Sequence, residues 1–449
     1  VSRSYCIVGG GISGLTAAYR LRRAVGEDAA ITVFEPADRL GGILRTEQVG
    51  GQPLDVGAEA FVARRPEVPA LLAELGLADR QIGTTGARPL IYSQARLHPL
   101  PTGTVNGIPS SAAAVAGLVD ERTVSRMTDE PSRPMSWRPG GDPVVADVVG
   151  DRFGPQVVAR SVDPMLAGVY AGSAATIGIR AAVSTVAAAL DRGAPSLTAA
   201  VHAALPPSSA GPLFGAVEGG YEVLLRALVA QSGLRWHPTA IAELTRDGAG
   251  WSLRDDENGT WHADAVVLAL PAPRLARLVA AVAPRTAAAA RRITTASSVV
   301  VALAVPGGTL LPQNSGVLVA TGERLHAKAI TLSSRKWGAR GNTDLMRLSF
   351  GRCGETIACD TSDEELLAWS LGDLADVFGV DVEPVDVCVH RWLDAMPQYG
   401  SGHAGLVAEV RGGLPPGLVV AGNYLDGIGV PACVAAAGRA VTEVLAAQR

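Results

Sequence analysis

The sequence predicts an α/β fold built on a discontinuous parallel-sheet domain, and three widely separated apolar segments carry that expectation. Tyr5-Cys6-Ile7-Val8, Ala265-Val266-Val267-Leu268-Ala269-Leu270 and Leu418-Val419-Val420-Ala421 are short, continuous and apolar, as strands buried on both faces are. Segments of one style far apart in the chain imply one domain assembled from pieces, with others inserted between them. The 449 residues exceed the roughly 250–300 at which a single core stops growing, so two or three domains are expected.

Taken in order, Ser4 to Glu35 reads as strand, glycine turn, helix and strand. Helix formers run from Leu15 to Val25, and Ile31-Thr32-Val33-Phe34 is β-branched or aromatic. Residues 104 to 200 are alanine-rich and broken by Gly and Pro, which predicts a helical insert with a mobile section from Thr128 to Asp142. Between Arg291 and His390, the runs Ser298–Val305, Ala329–Leu332 and Leu345–Phe350 predict a sheet. A last helix is expected from about Pro431 to Ala447. The expected domains are therefore 1–80, 201–285 and 411–449 for the parallel sheet; 81–103, 181–200 and 286–410 for a sheet-based substrate domain; and 104–180 for a mainly helical one.

With 48% hydrophobic and 18% charged residues the chain reads as globular, and a formal net charge of -4 gives no reason to expect nucleic acid as a partner. Five cysteines without a CxxC spacing indicate neither a disulfide framework nor a metal site, so reduced thiols in a cytoplasm are expected. No apolar run reaches the ~18 residues of a membrane span, and no signal peptide is read before Ser4. Ile108 to Val119 is expected as an ordinary buried helix, with a peripheral membrane contact as the alternative.

Gly9, Gly11 and Gly14 give the G-x-G-x-x-G spacing between a strand and a helix, where glycine allows the tight turn and helix amides hold phosphate oxygens. Glu35, closing the second strand, suits ribose hydroxyls and would repel a 2′-phosphate. NAD sites share these features. The residues after Glu35 favour FAD: Arg39, the doublet Gly41-Gly42 and Arg45 offer close backbone approach and charge for its phosphates. Far downstream, Gly422, Asn423, Gly427, Gly429 and Pro431 precede a helix whose positive end could face the flavin.

Val8 to Ala18, Glu35 to Thr46, Asp55 to Phe61 and Val419 to Cys433 together resemble the flavin amine oxidase superfamily. Arg88-Pro89-Leu90-Ile91-Tyr92 with Leu97 to Pro101, Gly168-Val169-Tyr170-Ala171-Gly172, Ala265 to Pro271, and Met396-Pro397-Gln398-Tyr399 resemble its porphyrinogen oxidase branch, nearest to the soluble actinobacterial type that acts on coproporphyrinogen III. The resemblance implies a Rossmann-like domain with non-covalent FAD held by Gly9, Gly10, Gly11, Ile12, Ser13, Gly14, Glu35, Arg39, Gly42, Ile43, Gly57, Ala58, Glu59, Ala60, Ile241, Asn423, Ile428, Gly429 and Val430. It places Arg88 against a substrate propionate and Gly168 and Val169 along a flat macrocycle cavity. The implied chemistry moves hydride from a meso methylene to the flavin with loss of a pyrrole proton. Three rounds remove six electrons, with dioxygen as acceptor and hydrogen peroxide as by-product, in haem biosynthesis. A transient contact with the next enzyme of that pathway is also implied. No protein side chain is assigned a catalytic role, and His98, in a loop beside Pro99, is read as structural.

Coproporphyrinogen III carries four propionates and protoporphyrinogen IX two, so the former needs more positive charge. Arg324, Lys328, Arg335, Lys336, Arg340, Arg347 and Arg352 form a basic run, of which Lys328 and Lys336 are taken as substrate-binding; a solvated face is the other reading. The choice between the two porphyrinogens stays open. An amine oxidase would need an aromatic cage where Asn423-Tyr424-Leu425 supplies one ring, and a carotenoid desaturase a long apolar tunnel. A non-catalytic protein resembling the Rab GDP-dissociation inhibitors would not need the intact glycine pattern.

Overall fold

The structure, a computed structural model, describes residues 3–207 and 212–447; the parts of the expected domains at 1–2, 208–211 and 448–449 lie outside the described residues. Five parallel strands form the sheet on which the site is built, in the order Arg235–His237, Ala30–Phe34, Ser4–Val8, Ala265–Leu268 and Leu418–Val420. The three apolar segments are thus neighbours, with Ile7 level with Val33 on one side and Val267 on the other. Alternation explains why they are apolar throughout. Tyr5, Ile7, Val267 and Val419 pack on the helices Ile12–Val25 and Val430–Ala446 through Ala17, Leu21, Ala437 and Val441. Cys6, Val8, Val266 and Leu268 face the other way, onto Trp251, Leu275 and Ala287. Arg235–His237 is an edge strand that sequence reading did not identify.

The second sheet has seven strands, in the order Asp386–Pro397, Thr295–Pro306, Thr343–Phe350, Ala329–Thr331, Gly316–Val319, Leu90–Ser93 and Arg96–Pro99. All neighbours are antiparallel except Gly316–Val319 with Leu90–Ser93. Thr295–Pro306 is buried on both faces: Val299, Val301 and Leu303 meet Leu366 and Leu374 of the helix Asp363–Phe378, while Val300, Ala302 and Ala304 meet Val49, Leu54 and Val56. Packing of that second face carries the segment after the first βαβ unit onto the seven-stranded sheet.

Three expectations need correction among the helices. Ile108 to Val119 is not one helix but a two-residue strand, Ile108–Pro109, followed by a 3-10 turn, Ala112–Val115. Its apolar side chains Ile108, Val115 and Leu118 are buried in the protein. Residues 181–200 do not join the sheet-based domain: Ala182, Val186, Leu190, Leu197 and Val201 share one core with Ile108, Val149, Phe153 and Ile177. Nor is Thr128 to Asp142 loose. Buried Arg152 donates to Glu130 Oε1 at 2.7 Å and to the carbonyls of Arg133 and Pro134, while Asp191 accepts from Trp137 Nε1 and Gly140 N. Glu130 also accepts from Leu197 N at 2.8 Å, satisfying an amide at the start of the helix Leu197–Ala204. That carboxylate adds a polar tie to the apolar packing that joins 181–201 to the helical core.

Among the described residues no helix is long and apolar enough to cross a membrane, no group of His, Cys, Asp and Glu could hold a metal ion, and all five cysteines are free thiols.

Candidate active site

The glycine turn is built as close backbone packing demands. Gly9 has φ 109°, and a Cβ there would lie 2.3 Å from the Ala269 carbonyl oxygen; one on Gly14 would lie 2.0 Å from Gly9 O. Glu35 spans the mouth of the turn, accepting from Gly10 N at 2.9 Å and Ala37 N at 3.1 Å. Each oxygen retains a lone pair for a ribose hydroxyl. The Ile12–Val25 helix begins after Gly11 with no side-chain cap and no acidic residue in its first turn, which leaves its positive end for an anion.

Gly41 and Gly42 lie directly on this turn: Gly41 N donates to Gly10 O at 2.8 Å, and a Cβ on Gly42 would come within 3.0 Å of Gly11 Cα. The doublet is therefore required by approach between two backbones. Arg39 and Arg45 are committed differently from expectation. Arg39 donates to the carbonyls of Leu40, Gly42 and Leu44, fastening the loop that holds Gly42 and Ile43, and Arg45 pairs with Glu47.

The segment 55–60 is anchored from two sides. Buried Asp55 accepts from Thr46 Oγ1 and from Tyr221 N, at the start of the helix Tyr221–Ser232. Burial pushes its carboxyl up to about 7 despite those bonds. Arg347 donates to the carbonyls of Asp55 and Gly57. Glu59 accepts from Ser333 Oγ and Lys336 Nζ, both at 2.7 Å. Burial would raise Glu59, but the charges of Lys336 and Arg347 outweigh it and hold the carboxyl at about 2. Gly57 admits no side chain, since a Cβ would sit 1.9 Å from Ile43 O. Ala58 and Ala60 flank Glu59 half-buried.

At the C-terminal side, Gly429 starts the Val430–Ala446 helix, again without a side-chain cap or an acidic first turn. Its first turn packs beside that of the glycine-turn helix, with Ile12, Val430, Cys433 and Val434 in one cluster and Ser13 hydrogen-bonded to Cys433. Two uncapped helix starts therefore lie side by side, and Ile428 and Gly429 remain partly open beside them. Asn423, half-buried, donates from Nδ2 to Ala395 O at 3.2 Å. Ile241 begins the strand Ile241–Asp247 and packs in the cluster of Phe34, next to Glu35 in sequence.

The basic run does not assemble into a pocket. Arg335 pairs with Asp344, Lys336 with Glu59, Arg340 with Glu218 and Arg352 with Glu355, while Arg347 serves backbone carbonyls and Arg324 is exposed. Lys328 is buried, donating to Ser298 Oγ at 2.9 Å and to the carbonyls of Phe350 and Gly351, and burial pushes its amine down to about 7. Arg88, like Arg324, is exposed, and its guanidinium has no ion pair among the described residues. Gly168 and Val169 form the exposed end of the helix Asp163–Tyr170, with Val169 44% accessible. One strand relates the two places. Ser315 N donates to Arg88 O, and Leu318, three residues on, is the nearest side chain to Gly168, a separation of roughly 10 Å along a strand.

Sequence reading missed two residues beside the cradle. Trp392 Nε1 donates to Val56 O at 2.9 Å, and its ring would lie 3.2 Å from a Cβ on Gly57. His390, two residues earlier on the same strand, stacks near it, and burial together with Arg45 and Arg39 pulls it down to about 4. Two rings at i and i+2 were the available signal. His98 Nε2 lies 3.0 Å from Ser93 O within its own hairpin, a structural placement.

The cradle fits a dinucleotide: Gly9, Gly14 and Gly57 admit no Cβ, its helix starts are uncapped and its carboxylate stands at the second strand's end. A family model described as flavin containing amine oxidoreductase matches residues 12–445. The chain is 69% identical over 445 residues to a Mycobacterium tuberculosis protein named coproporphyrinogen III oxidase, covering 99% of this chain and 98% of that one. A human protein named protoporphyrinogen oxidase is 28% identical over 496 residues, covering 99% of each. A crystal structure from Exiguobacterium sp. 255-15, provisionally named a protoporphyrinogen oxidase, superposes with a TM-score of 0.88 at 28% identity, covering 99% of each chain. The chain belongs to the flavin containing amine oxidoreductases, and its cofactor is FAD.

Proposed function

We propose that this protein oxidises coproporphyrinogen III to coproporphyrin III in haem biosynthesis, with dioxygen as acceptor and hydrogen peroxide as by-product. The observation that carries this reading is the full-length 69% identity to relatives of that name, against 28% to the human protein named for the vinyl-bearing substrate. Bound FAD supplies two-electron oxidation, and three rounds account for the six electrons separating a porphyrinogen from its porphyrin.

The chain's own residues bind and orient. Amides of Gly9 to Gly14 hold the pyrophosphate, Glu35 the ribose, and Ile241 the adenine side. Gly42, Ile43 and Gly57 to Ala60 pass along the cofactor, with Asn423 and Ile428 to Val430 at the flavin end. Arg39 acts through the loop it fastens. Gly168 and Val169 line the flat face of the macrocycle and Arg88 takes a propionate, the strand from Ser315 to Leu318 spacing the two. Lys328 and Lys336 are set aside as substrate ligands because internal partners use their ammonium groups. For the domains, we propose that the helical unit extends to about residue 201, leaving 81–103 and 286–410 to the substrate-binding sheet. We place the protein in the cytoplasm, handing its product to the next enzyme of the pathway.

Anaerobic mixing of holoprotein with coproporphyrinogen III should bleach the flavin band, and protoporphyrinogen IX should do so more slowly. Absence of bleaching by either substrate would sink the proposal.

A further inference from the structure

The segment Met396-Pro397-Gln398-Tyr399 closes the strand Asp386–Pro397 and contributes no residue to the cradle itself. Gln398, Tyr399 and His403 are each 4% exposed, and polar groups at that depth need partners. Their side-chain partners lie mainly in two places, Gln398 Nε2 also donating to Met396 O at 3.0 Å within its own segment, while Gln398 Oε1 and His403 Nδ1 have no hydrogen-bond partner among the described residues. On one side, Tyr399 Oη donates to the Asn423 carbonyl and also meets the Gly427 N–H, so one phenol joins both ends of the turn 423–427. The His403 ring lies on that of Tyr399 with centroids 4.1 Å apart, and its Nε2 is 2.7 Å from Tyr424 O. A carbonyl only accepts, so Nε2 carries the hydrogen. On the other side, Gln398 Nε2 donates at 2.7 Å to the carbonyl of Tyr170, the last residue of the helix bearing Gly168 and Val169. Gln398 Oε1 is so close to Gly172 that a Cβ there would lie 2.5 Å from it.

Two buried donors on consecutive carbonyls fix the rotation of two peptide planes, and those planes decide where the Asn423 side chain and the amides leading to Val430 point. We infer that Gln398, Tyr399 and His403 are one positioning unit, holding the flavin-side turn 423–427 and the substrate-side helix end 168–170 at a set spacing. The substrate half rests on the proposed role of Gly168 and Val169 along the macrocycle, and the cofactor half on the proposed placement of Asn423 and Ile428 to Val430 at the flavin.

Tyr399→Phe removes one oxygen and keeps the ring. In the holoenzyme, the FAD dissociation constant obtained by dilution should rise about tenfold, the scale of one lost buried hydrogen bond. The flavin absorption band should shift, while the unfolding temperature followed by tryptophan fluorescence at saturating FAD falls by no more than the tenfold loss of affinity itself accounts for. Gln398→Leu should leave FAD affinity unchanged and raise KM for coproporphyrinogen III several-fold at constant kcat. Wild-type FAD affinity and band position in Tyr399→Phe overturn the inference, as does a loss of stability larger than the weakened FAD binding accounts for. If the wild-type enzyme leaves coproporphyrinogen III untouched, the proposed activity falls, and the FAD titration still decides the cofactor half.

Discussion

Lys336 and Glu59, 277 positions apart in the chain, meet at 2.7 Å beneath the segment that runs along the cofactor cradle. The carboxylate is nearly buried and its second oxygen is taken by Ser333. Lys336→Met removes the counter-charge and leaves a desolvated anion, which should cost about 2–4 kcal/mol in urea unfolding. Glu59 is held at about 2 against an ordinary value of 4.5. Its folded form is the more acidic, so its contribution is complete above the unfolded value and is lost as pH falls from about 4.5 towards 2. In all, about 3 kcal/mol should disappear over that window. Acid titration of Lys336→Met should lack most of this loss.

Arg88→Ala should raise KM for coproporphyrinogen III with little change in kcat, because an exposed cation without an internal partner contributes binding and no fold stability. A charge-assisted bond in a partly open site is worth about 1–2 kcal/mol, which steady-state kinetics would register as a five- to thirty-fold change. An unchanged KM would return Arg88 to the surface.

Lys328 provides the contrasting case. Its amine, at about 7 in the folded protein against 10.5, binds its proton less tightly than in the unfolded chain, so stability should rise with pH between those values, by at most about 1.4 kcal/mol per unit. Lys328→Met should flatten that rise in denaturation measured from pH 6 to 10 and leave KM for the porphyrinogen untouched.

The Glu130–Arg152 pair should matter to folding alone. Glu130→Ala strands a buried guanidinium and two amides at the start of the helix Leu197–Ala204. A loss of about 3–5 kcal/mol is expected, with FAD affinity and kcat of the surviving folded protein unchanged. Altered kinetics in folded protein would show that the helical core reaches the site.

Much of this fold was legible because it follows from period and backbone sterics. Buried parallel strands must be apolar on both faces, and a turn that admits no Cβ must be glycine, so Val8, Ala265 to Leu268 and Gly9 to Gly14 declared themselves. What stayed hidden depends on partners distant in sequence. Arg235–His237 is a strand only because Ala30–Phe34 offers it an edge. The alanines of 181–201 match either neighbouring domain by composition, and their packing on Val149, Phe153 and Ile177, together with the bonds of Glu130, sets them with the helices. Arg324 to Arg352 looks like a binding patch until Glu59 and Glu218 arrive from distant segments and Asp344 and Glu355 pair locally. Charge along a chain does not reveal which ions are already paired. Trp392 and His390 escaped notice because two rings at i and i+2 show a shared strand face but not that the face meets the Val56–Gly57 backbone.

The order of strands in the parallel sheet also governs when this protein can exist as an enzyme. Leu418–Val420 is the partner of Ala265–Leu268, and the helix that comes after it supplies one of the two positive ends at the cradle. During synthesis the glycine turn emerges before that strand and that helix, and the two positive ends can meet only once both have been made. A nascent polypeptide can therefore show the first βαβ unit of a nucleotide fold and still lack the far half of the cradle.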